Sequence, residues 1–331
     1  MSKRNKVAIV GSGSWATALA KILLENLPEI SWYFHKDDNI RQFKQLKHNP
    51  GYLRGVEFDT SRIKFTSDIN KIAADCDTLV IAIPSAFLKN TLNKLTVDIS
   101  SKFVVSGIKG LVPDEKMIIG EYLHNTFKIP YESIGVLAGP CHAEEVALER
   151  LSYLTVACSN ETNAAEFAKL LQCGYIRAKT SDDIWGTEYS SVLKNIVAIA
   201  AGIVHGLMYG DNFQAVLISN AIQEIERFVN TVHPIIRDIK SSVYLGDLMV
   251  TAYSQFSRNR TFGIMIGKGY SIKNAQLEMF MVAEGYYSAK SIMEINERYK
   301  VDIPICNATY QILYMNQSPQ KEIKRLTDKL M

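Results

Sequence analysis

The sequence predicts an α/β fold in its first half, a doubly wound parallel sheet, followed by an all-helical domain. Three observations carry this. Short apolar strand patterns alternate with helical ones as far as residue 181. The first strand runs directly into a glycine turn and a helix. Beyond Ser181 the alternation stops and long helical periodicities replace it. The implied domains are residues 1–181 and 182–331, with Asp182 placed to cap the first long helix.

Taken in order, the strand candidates are Val7–Val10, Ile30–Phe34, Ile63–Phe65, Thr78–Ile83, Phe103–Ser106 and Ile134–Ala138. Each is rich in apolar or β-branched residues and ends at Gly, Pro, Ser or a charge. Such continuous runs suit strands covered on both faces, as in a parallel sheet. Helical patterns such as Trp15–Asn26 and Met117–Thr126 lie between them. Tyr153–Cys158 and Tyr175–Ala178 read as further strands around a helix at Thr162–Cys173. The second half reads as helices over Ile184–Leu207, Asn212–Val232, Leu245–Ser254, Asn274–Phe280, Tyr286–Tyr299 and Ile305–Tyr314, with a charged surface helix at Lys321–Lys329.

Composition narrows the class. The chain has 331 residues, 47% hydrophobic and 21% charged, enough for two filled cores and unlike a disordered chain. A net charge of +3, with scattered basic residues, gives no argument for nucleic acid. Five cysteines, an odd number with no C-x-x-C pair, fit free thiols in a reducing cytoplasm. The six histidines show no H-x-x-x-H spacing, so no metal is expected. Lys3-Arg4, an apolar run and Ala18-Leu19-Ala20 imitate a signal peptide, but Gly11-Ser12-Gly13-Ser14 breaks the run. Ile196–Val204 is far shorter than the roughly 20 residues of a membrane span. Stable membrane insertion is therefore not expected.

The glycine turn carries the first chemistry. Gly11 allows a tight turn after the strand, Gly13 lets backbone approach a pyrophosphate, and Ala16 stands at the third position. Ser14 and Trp15 open the helix whose N-terminus would face the phosphates. In this strand–turn–helix context G-x-G-x-x-A reads as a Rossmann-type dinucleotide site for NAD or NADP. NAD sites usually carry an acid at the end of the second strand. Here Phe34-His35-Lys36 precedes Asp37 and Asp38. His35 and Lys36 suit a 2′-phosphate, whereas the two acids also read as the start of the next helix.

The second half supplies titratable groups. Lys194 lies in an apolar stretch, Val192 to Ala198, broken only by itself and Asn195. Burial there would lower its pKa toward neutrality, as a general acid/base requires; a lysine snorkelling from an amphipathic helix is the plainer alternative. Asp247 reads as a helix N-cap or as a partner holding the Lys194 ammonium, with Thr251 one turn later on its face. Ser257-Arg258-Asn259-Arg260 reads as a phosphate clamp or as a solvated basic loop. Lys109 and the Gly139-Pro140-Cys141-His142 segment follow predicted strands, where ligands of open sheets bind. Adjacent Cys141 and His142 make a poor nucleophile–base pair.

These motifs, in order, also resemble a known family. Gly11-Ser12-Gly13-Ser14-Trp15-Ala16, Pro84-Ser85, Lys109-Gly110, Gly139-Pro140, Leu193-Lys194-Asn195-Ile196, Leu245-Gly246-Asp247-Leu248, Ser257-Arg258-Asn259-Arg260 and Glu284-Gly285 are similar to the bacterial NAD(P)-dependent glycerol-3-phosphate dehydrogenases, almost end to end. The resemblance implies a Rossmann domain plus a helical domain like that of 6-phosphogluconate dehydrogenase. It implies a cytoplasmic homodimer that makes glycerol 3-phosphate for phospholipid synthesis. Lys194 would be the proton acceptor. Lys109, Gly139, Cys141, Asp247, Ser257, Arg258 and Asn259 would lie on the substrate side. Ser14, Trp15, His35, Lys109, Ala143, Arg258, Val282 and Glu284 would contact the cofactor. Departures from the pattern are Ala16, Ile108, Cys141, Asn220, Ala283 and the segment His233–Tyr244.

The expected chemistry is hydride transfer between a nicotinamide and dihydroxyacetone phosphate or sn-glycerol 3-phosphate. Lys194 exchanges the proton, Asp247 orients it, Lys109 adds positive charge, and Arg258 with Asn259 holds the phosphate. Two other readings are a related hydroxyacid dehydrogenase acting on a carboxylate and a dinucleotide sensor without turnover.

Overall fold

A computed structural model describes residues 6–113, 115–279, 281 and 283–330. The chain divides into two compact units, Met1–Ile108 with Ile119–Ile184, and Lys109–Ile118 with Trp185–Met331. The sequence reading set no part of residues 1–181 apart; ten of them, 109–118, cluster with the helical unit.

The first unit is built on strands β1 (Val7–Val10), β2 (Ile30–Tyr33), β3 (Ile63–Thr66), β4 (Thr78–Ile81) and β5 (Phe103–Ser106). After a two-stranded hairpin, β6 (Leu111–Val112) and β7 (Met117–Ile118), which belongs to the second unit, follow β8 (Ile134–Ala138), β9 (Ser152–Ala157) and β10 (Ile176–Ser181). The eight-stranded sheet has the order β10-β9-β8-β5-β4-β1-β2-β3. Strand order reverses about β1, which pairs in parallel with both β2 and β4, so the glycine turn leaves the sheet at its topological switch point. Its helices are α1 (Ser14–Asn26), α2 (Asp37–Leu46), α3 (Ile69–Asp75), α4 (Leu88–Leu92), α5 (Ile119–Phe127), α6 (Ala143–Ala147) and α7 (Glu161–Leu171). The core joins the fully buried β1 to the apolar face of α1 and to an aromatic group of Trp32, Phe34, Phe43, Phe58 and Phe65.

One pairing departs from the all-parallel expectation: β9 pairs antiparallel with β8, and β10, parallel to β9, runs with it against the other six strands. The connection holds only α6, five residues and about 7.5 Å of helix, too short to run back along the sheet as a crossover. Gly139 makes the exit from β8 at φ +125, where a Cβ would lie 2.6 Å from the Tyr153 carbonyl oxygen.

The second unit holds the β6–β7 hairpin and helices α8 (Ile184–Gly206), α9 (Asp211–Val232), α10 (Asp247–Tyr253), α11 (Arg258–Gly267), α12 (Ile272–Glu278), α13 (Glu284–Tyr299), α14 (Pro304–Tyr314) and α15 (Pro319–Thr327). The hairpin corrects the sequence reading, which began a helix at Met117. Strands of two residues carry no periodicity to detect, and the turn passes through Lys116 at φ 52. The first long helix begins at Ile184, so Asp183 rather than Asp182 precedes it, and the Ser181 hydroxyl accepts the Asp183 N–H at 3.1 Å. Helix α14 is capped from another helix: the buried Glu224 carboxylate accepts the Ile305 and Cys306 N–H groups at 2.8 and 2.9 Å. No helix of the described residues is long and apolar enough to cross a membrane.

Helices α8 and α11 meet backbone to backbone. A Cβ on Gly202 would lie 2.1 Å from the Arg260 carbonyl oxygen, and one on Gly263 would lie 2.1 Å from that of Ile199. Gly206 and Gly267 repeat the pattern one turn later, against Ile264 and Ile203 at 2.6 and 2.4 Å. This seam fixes the N-terminus of α11 against the helix that carries Lys194.

Candidate active site

In the first unit the turn has the form a dinucleotide needs. Gly11 stands at φ +129, with a Cβ position 2.2 Å from the Ala82 carbonyl oxygen, so only glycine fits. Gly13 is the opposite case: nothing lies within 4 Å of its Cβ position, leaving backbone open to an approaching phosphate. No side chain caps α1 and its first turn holds no acid, so its N-terminal dipole is not neutralised locally. Ser14 is buried at this end, and the buried indole N–H of Trp15 has no hydrogen-bond partner among the described residues. Two residues that sequence reasoning missed brace the turn. Trp32 Nε1 donates to the Gly11 carbonyl at 2.7 Å. The Asn49 amide donates to the Ser12 carbonyl at 3.0 Å and to the Thr17 hydroxyl at 2.7 Å. The Asn49-Pro50-Gly51 turn was a visible signal, but nothing in it said what the amide would hold.

At the end of β2 both His35 and Lys36 are exposed. Partial desolvation, then the charges of Lys36 and Lys94, lowers the His35 pKa. Asp38 is engaged by Arg41, and Asp37 and Asp38 occupy the first turn of α2, so the plainer reading of these acids holds. Replacing Lys36 by alanine is expected to raise KM for NADPH about tenfold or more and leave KM for NADH nearly unchanged. Steady-state rates with each cofactor check this; equal effects on both would contradict a 2′-phosphate contact.

In the second unit Lys194 is 2% exposed, which excludes the snorkelling alternative. Its ammonium is ion-paired to Asp247 Oδ1. Lys109 Nζ lies 3.5 Å from Asp247 Oδ2. Burial holds the Lys194 pKa down at about 7; Asp247 raises it, and Lys109 lowers it further. Asp247 is not an N-cap. A π-helical turn, Ser242–Gly246, leads straight into α10, so Asp247 sits within continuous helix and its side chain is committed to the lysines. The buried Thr251 hydroxyl donates back to the Asp247 carbonyl at 2.6 Å. Asn195 anchors the cluster: its amide donates to the Lys109 carbonyl at 2.8 Å.

Ser257-Arg258-Asn259-Arg260 is not a loop but the start of α11, with the Ser257 hydroxyl accepting the Arg260 N–H. The periodicity was hidden because this helix is polar at its start and glycine-lined on its packed face. Asn259 is buried, and its Oδ1 accepts the Gly285 N–H at 2.9 Å, which ties α11 to the first turn of α13 beside Glu284. A Cβ on Gly285 would strike the Asn195 carbonyl oxygen at 2.5 Å, so α13 rests on α8 as well. Arg258 is exposed, and among the described residues its one side-chain hydrogen bond is a 4.0 Å contact to the Met281 sulfur.

Comparison with known proteins decides the family. The family described as "NAD-dependent glycerol-3-phosphate dehydrogenase N-terminus" matches residues 6–164, and its "C-terminus" counterpart matches residues 183–324. The chain belongs to the NAD-dependent glycerol-3-phosphate dehydrogenases. A glycerol-3-phosphate dehydrogenase [NAD(P)+] of Bacillus subtilis is 35% identical over 97% of this chain and 93% of that protein. One of Staphylococcus haemolyticus is 33% identical over 97% of each. The crystal structure of glycerol-3-phosphate dehydrogenase from Coxiella burnetii superposes with a TM-score of 0.90 at 26% identity, over 98% of this chain and 99% of that one.

Within this glycerol-3-phosphate dehydrogenase family member, the expected residues divide between the units. Gly11, Gly13, Ser14, Trp15, His35, Lys36, Gly139, Cys141 and Ala143 lie in the first unit. Cys141 is buried, and Ala143 opens α6. Lys109, Lys194, Asn195, Asp247, Thr251, Ser257, Arg258, Asn259 and Glu284 lie in the second. Lys109, Lys194, Asn195, Asp247 and Thr251 form one connected cluster; Asn259 and the start of α13 form another. Val282 lies outside the described residues.

Proposed function

We propose that this chain interconverts dihydroxyacetone phosphate and sn-glycerol 3-phosphate with NAD(P)H, supplying glycerol 3-phosphate for phospholipid synthesis, and that Lys194 is its proton donor and acceptor. The supporting observation is the buried Lys194–Asp247 pair, with the partly exposed Lys109 on the same carboxylate, in a chain whose residues 6–164 and 183–324 match the family. A bound nicotinamide supplies or takes the hydride at the substrate carbon. Lys194, held near neutrality by burial, gives a proton to the carbonyl oxygen or removes it from the alcohol. Asp247 holds the ammonium in place, and Lys109 adds positive charge where the oxygen becomes anionic. Ser257, Arg258 and Asn259 stand at the N-terminus of α11, a place suited to a phosphate. Gly139, Cys141 and Thr251 complete the substrate side of this reading. Gly11, Gly13, Ser14, Trp15, His35, Lys36, Ala143, Val282 and Glu284 are assigned to the cofactor, which Lys109 and Arg258 also approach.

Removing the Arg258 guanidinium is expected to raise KM for dihydroxyacetone phosphate about 10–100-fold, since hydrogen bonds to charged groups contribute about 1.5–3 kcal/mol. Steady-state kinetics of Arg258→Ala would show this; an unchanged KM contradicts the phosphate role. A D-mandelate dehydrogenase, solved with NADH, shares the fold at a TM-score of 0.57 and 17% identity, and a carboxylate substrate is the second reading. Loss of reduced-nicotinamide absorbance with dihydroxyacetone phosphate, set against a panel of 2- and 3-keto acids, separates the two. Turnover with keto acids alone overturns the proposal, and NADH binding with no turnover at all supports a sensor. We place the enzyme in the cytoplasm as a homodimer; sizing of the purified protein tests the latter.

A further inference from the structure

We propose that Lys109 is the proton port of this site: once Lys194 has given its proton away, the Lys109 ammonium passes one across to the Lys194 amine and is refilled from water. The inference rests on the catalytic reading above. A general acid must be recharged in every turnover. The Lys194 side chain is 3% exposed and that of Asp247 1%, so neither meets water directly, whereas that of Lys109 is 23% exposed. Both lysine side chains are held on the one Asp247 carboxylate, with Lys109 Nζ 3.5 Å from Oδ2. Two ammonium groups have no acceptor between them; an ammonium and an amine do. Asp247 holds the pair together, Oδ1 on Lys194 and Oδ2 on Lys109, and compensates the charge whichever nitrogen carries it. The backbone of Lys109 is tied at 2.8 Å to Asn195, the residue next to Lys194, so the port is fixed to the donor.

The steps balance. In reduction a Lys194 N–H bond breaks as the substrate O–H bond forms, and the hydride comes from NADH. Lys194 is left as a neutral amine. A Lys109 N–H bond then breaks, a new N–H bond forms on Lys194, and the Lys109 amine takes a proton from solvent. One proton is consumed for each NADH oxidised, and oxidation of the alcohol runs the path outward.

Lys109 acting only as a fixed charge makes a different prediction. Arginine keeps the charge but does not release a proton in this range. Enzyme loaded with NADH, on the acid side of about 7 so that Lys194 starts protonated, is mixed rapidly with dihydroxyacetone phosphate and the reduced-nicotinamide absorbance is followed. Lys109→Arg is expected to complete its first turnover within a few-fold of the unmodified protein. Its steady-state rate then falls by about tenfold or more, and added imidazole, a small proton donor, restores it. A first turnover slowed as much as the steady state, or a steady state unchanged by the substitution, overturns the relay. Where the arginine prevents folding, Lys109→Ala carries the same test: a steady-state rate rising with imidazole supports the port, and no response overturns it. No turnover of dihydroxyacetone phosphate by the unmodified protein overturns the functional reading itself.

Discussion

Lys194→Ala is expected to lower kcat for reduction of dihydroxyacetone phosphate by at least about 10²–10⁴-fold, the usual worth of a positioned general acid, while NADH still binds with near-normal affinity. The expectation follows from burial. Lys194 is 2% exposed within apolar helix α8, so no solvent molecule occupies the place of its ammonium without a large rearrangement. Folding should survive the change because the buried Asp247 carboxylate keeps Lys109 as its cation, at 3.5 Å. Cofactor affinity should survive because the glycine turn, Asn49 and Trp32 belong to the other unit. Steady-state rates and a fluorescence titration with NADH read the two effects separately. Turnover within a few-fold of the unmodified enzyme would contradict proton transfer by Lys194.

Gly263→Val is expected to cost at least about 3 kcal/mol and lower the melting temperature by about 6–12 °C, with activity lost in parallel. The Cβ alone would stand 2.1 Å from the Ile199 carbonyl oxygen, more than about 1 Å inside normal contact. Both sides of this contact are helix backbone, so no rotamer relieves it and α8 and α11 must separate. Separation moves Ser257, Arg258 and Asn259, at the start of α11, away from the helix bearing Lys194. Gly174→Ala is the control: its Cβ meets nothing within 4 Å, and the melting temperature should hardly move. Thermal melting of both variants checks the contrast, and a stable, active Gly263→Val protein would contradict the close-packed seam.

The fold was legible where periodicity was strong. The strand patterns of β1, β5 and β8 and the long helices α8 and α9 have bounds within a residue or two of those read from sequence. It was illegible where tertiary geometry decides. The antiparallel return of β9 depends on how far α6 can carry the chain, which no local pattern records. The start of α11 looked like a basic loop because its packed face is glycine, and glycine signals helix only once Gly202 and Gly206 are known to lie opposite. In the candidate site Lys194 and Asp247 were legible as residue types in an unusual setting, but each had a plain alternative, snorkelling or capping. Only their mutual ion pair removes both alternatives. Asn195 and Asn259 were legible as polar residues near the chemistry; that they hold the backbones of Lys109 and Gly285 was not, since those partners lie far away in sequence.

The proton role of Lys194 is tested most directly by the pH dependence of kcat/KM in both directions. Reduction needs the ammonium and oxidation needs the amine, and burial places the change between them near 7. The rate constant for reduction should therefore be level below about 7 and fall roughly tenfold per pH unit above it, while that for oxidation rises roughly tenfold per pH unit up to about 7 and is level above it. Profiles that stay flat from neutrality to pH values near those of an ordinary lysine would contradict a buried Lys194 amine as the group that moves the proton.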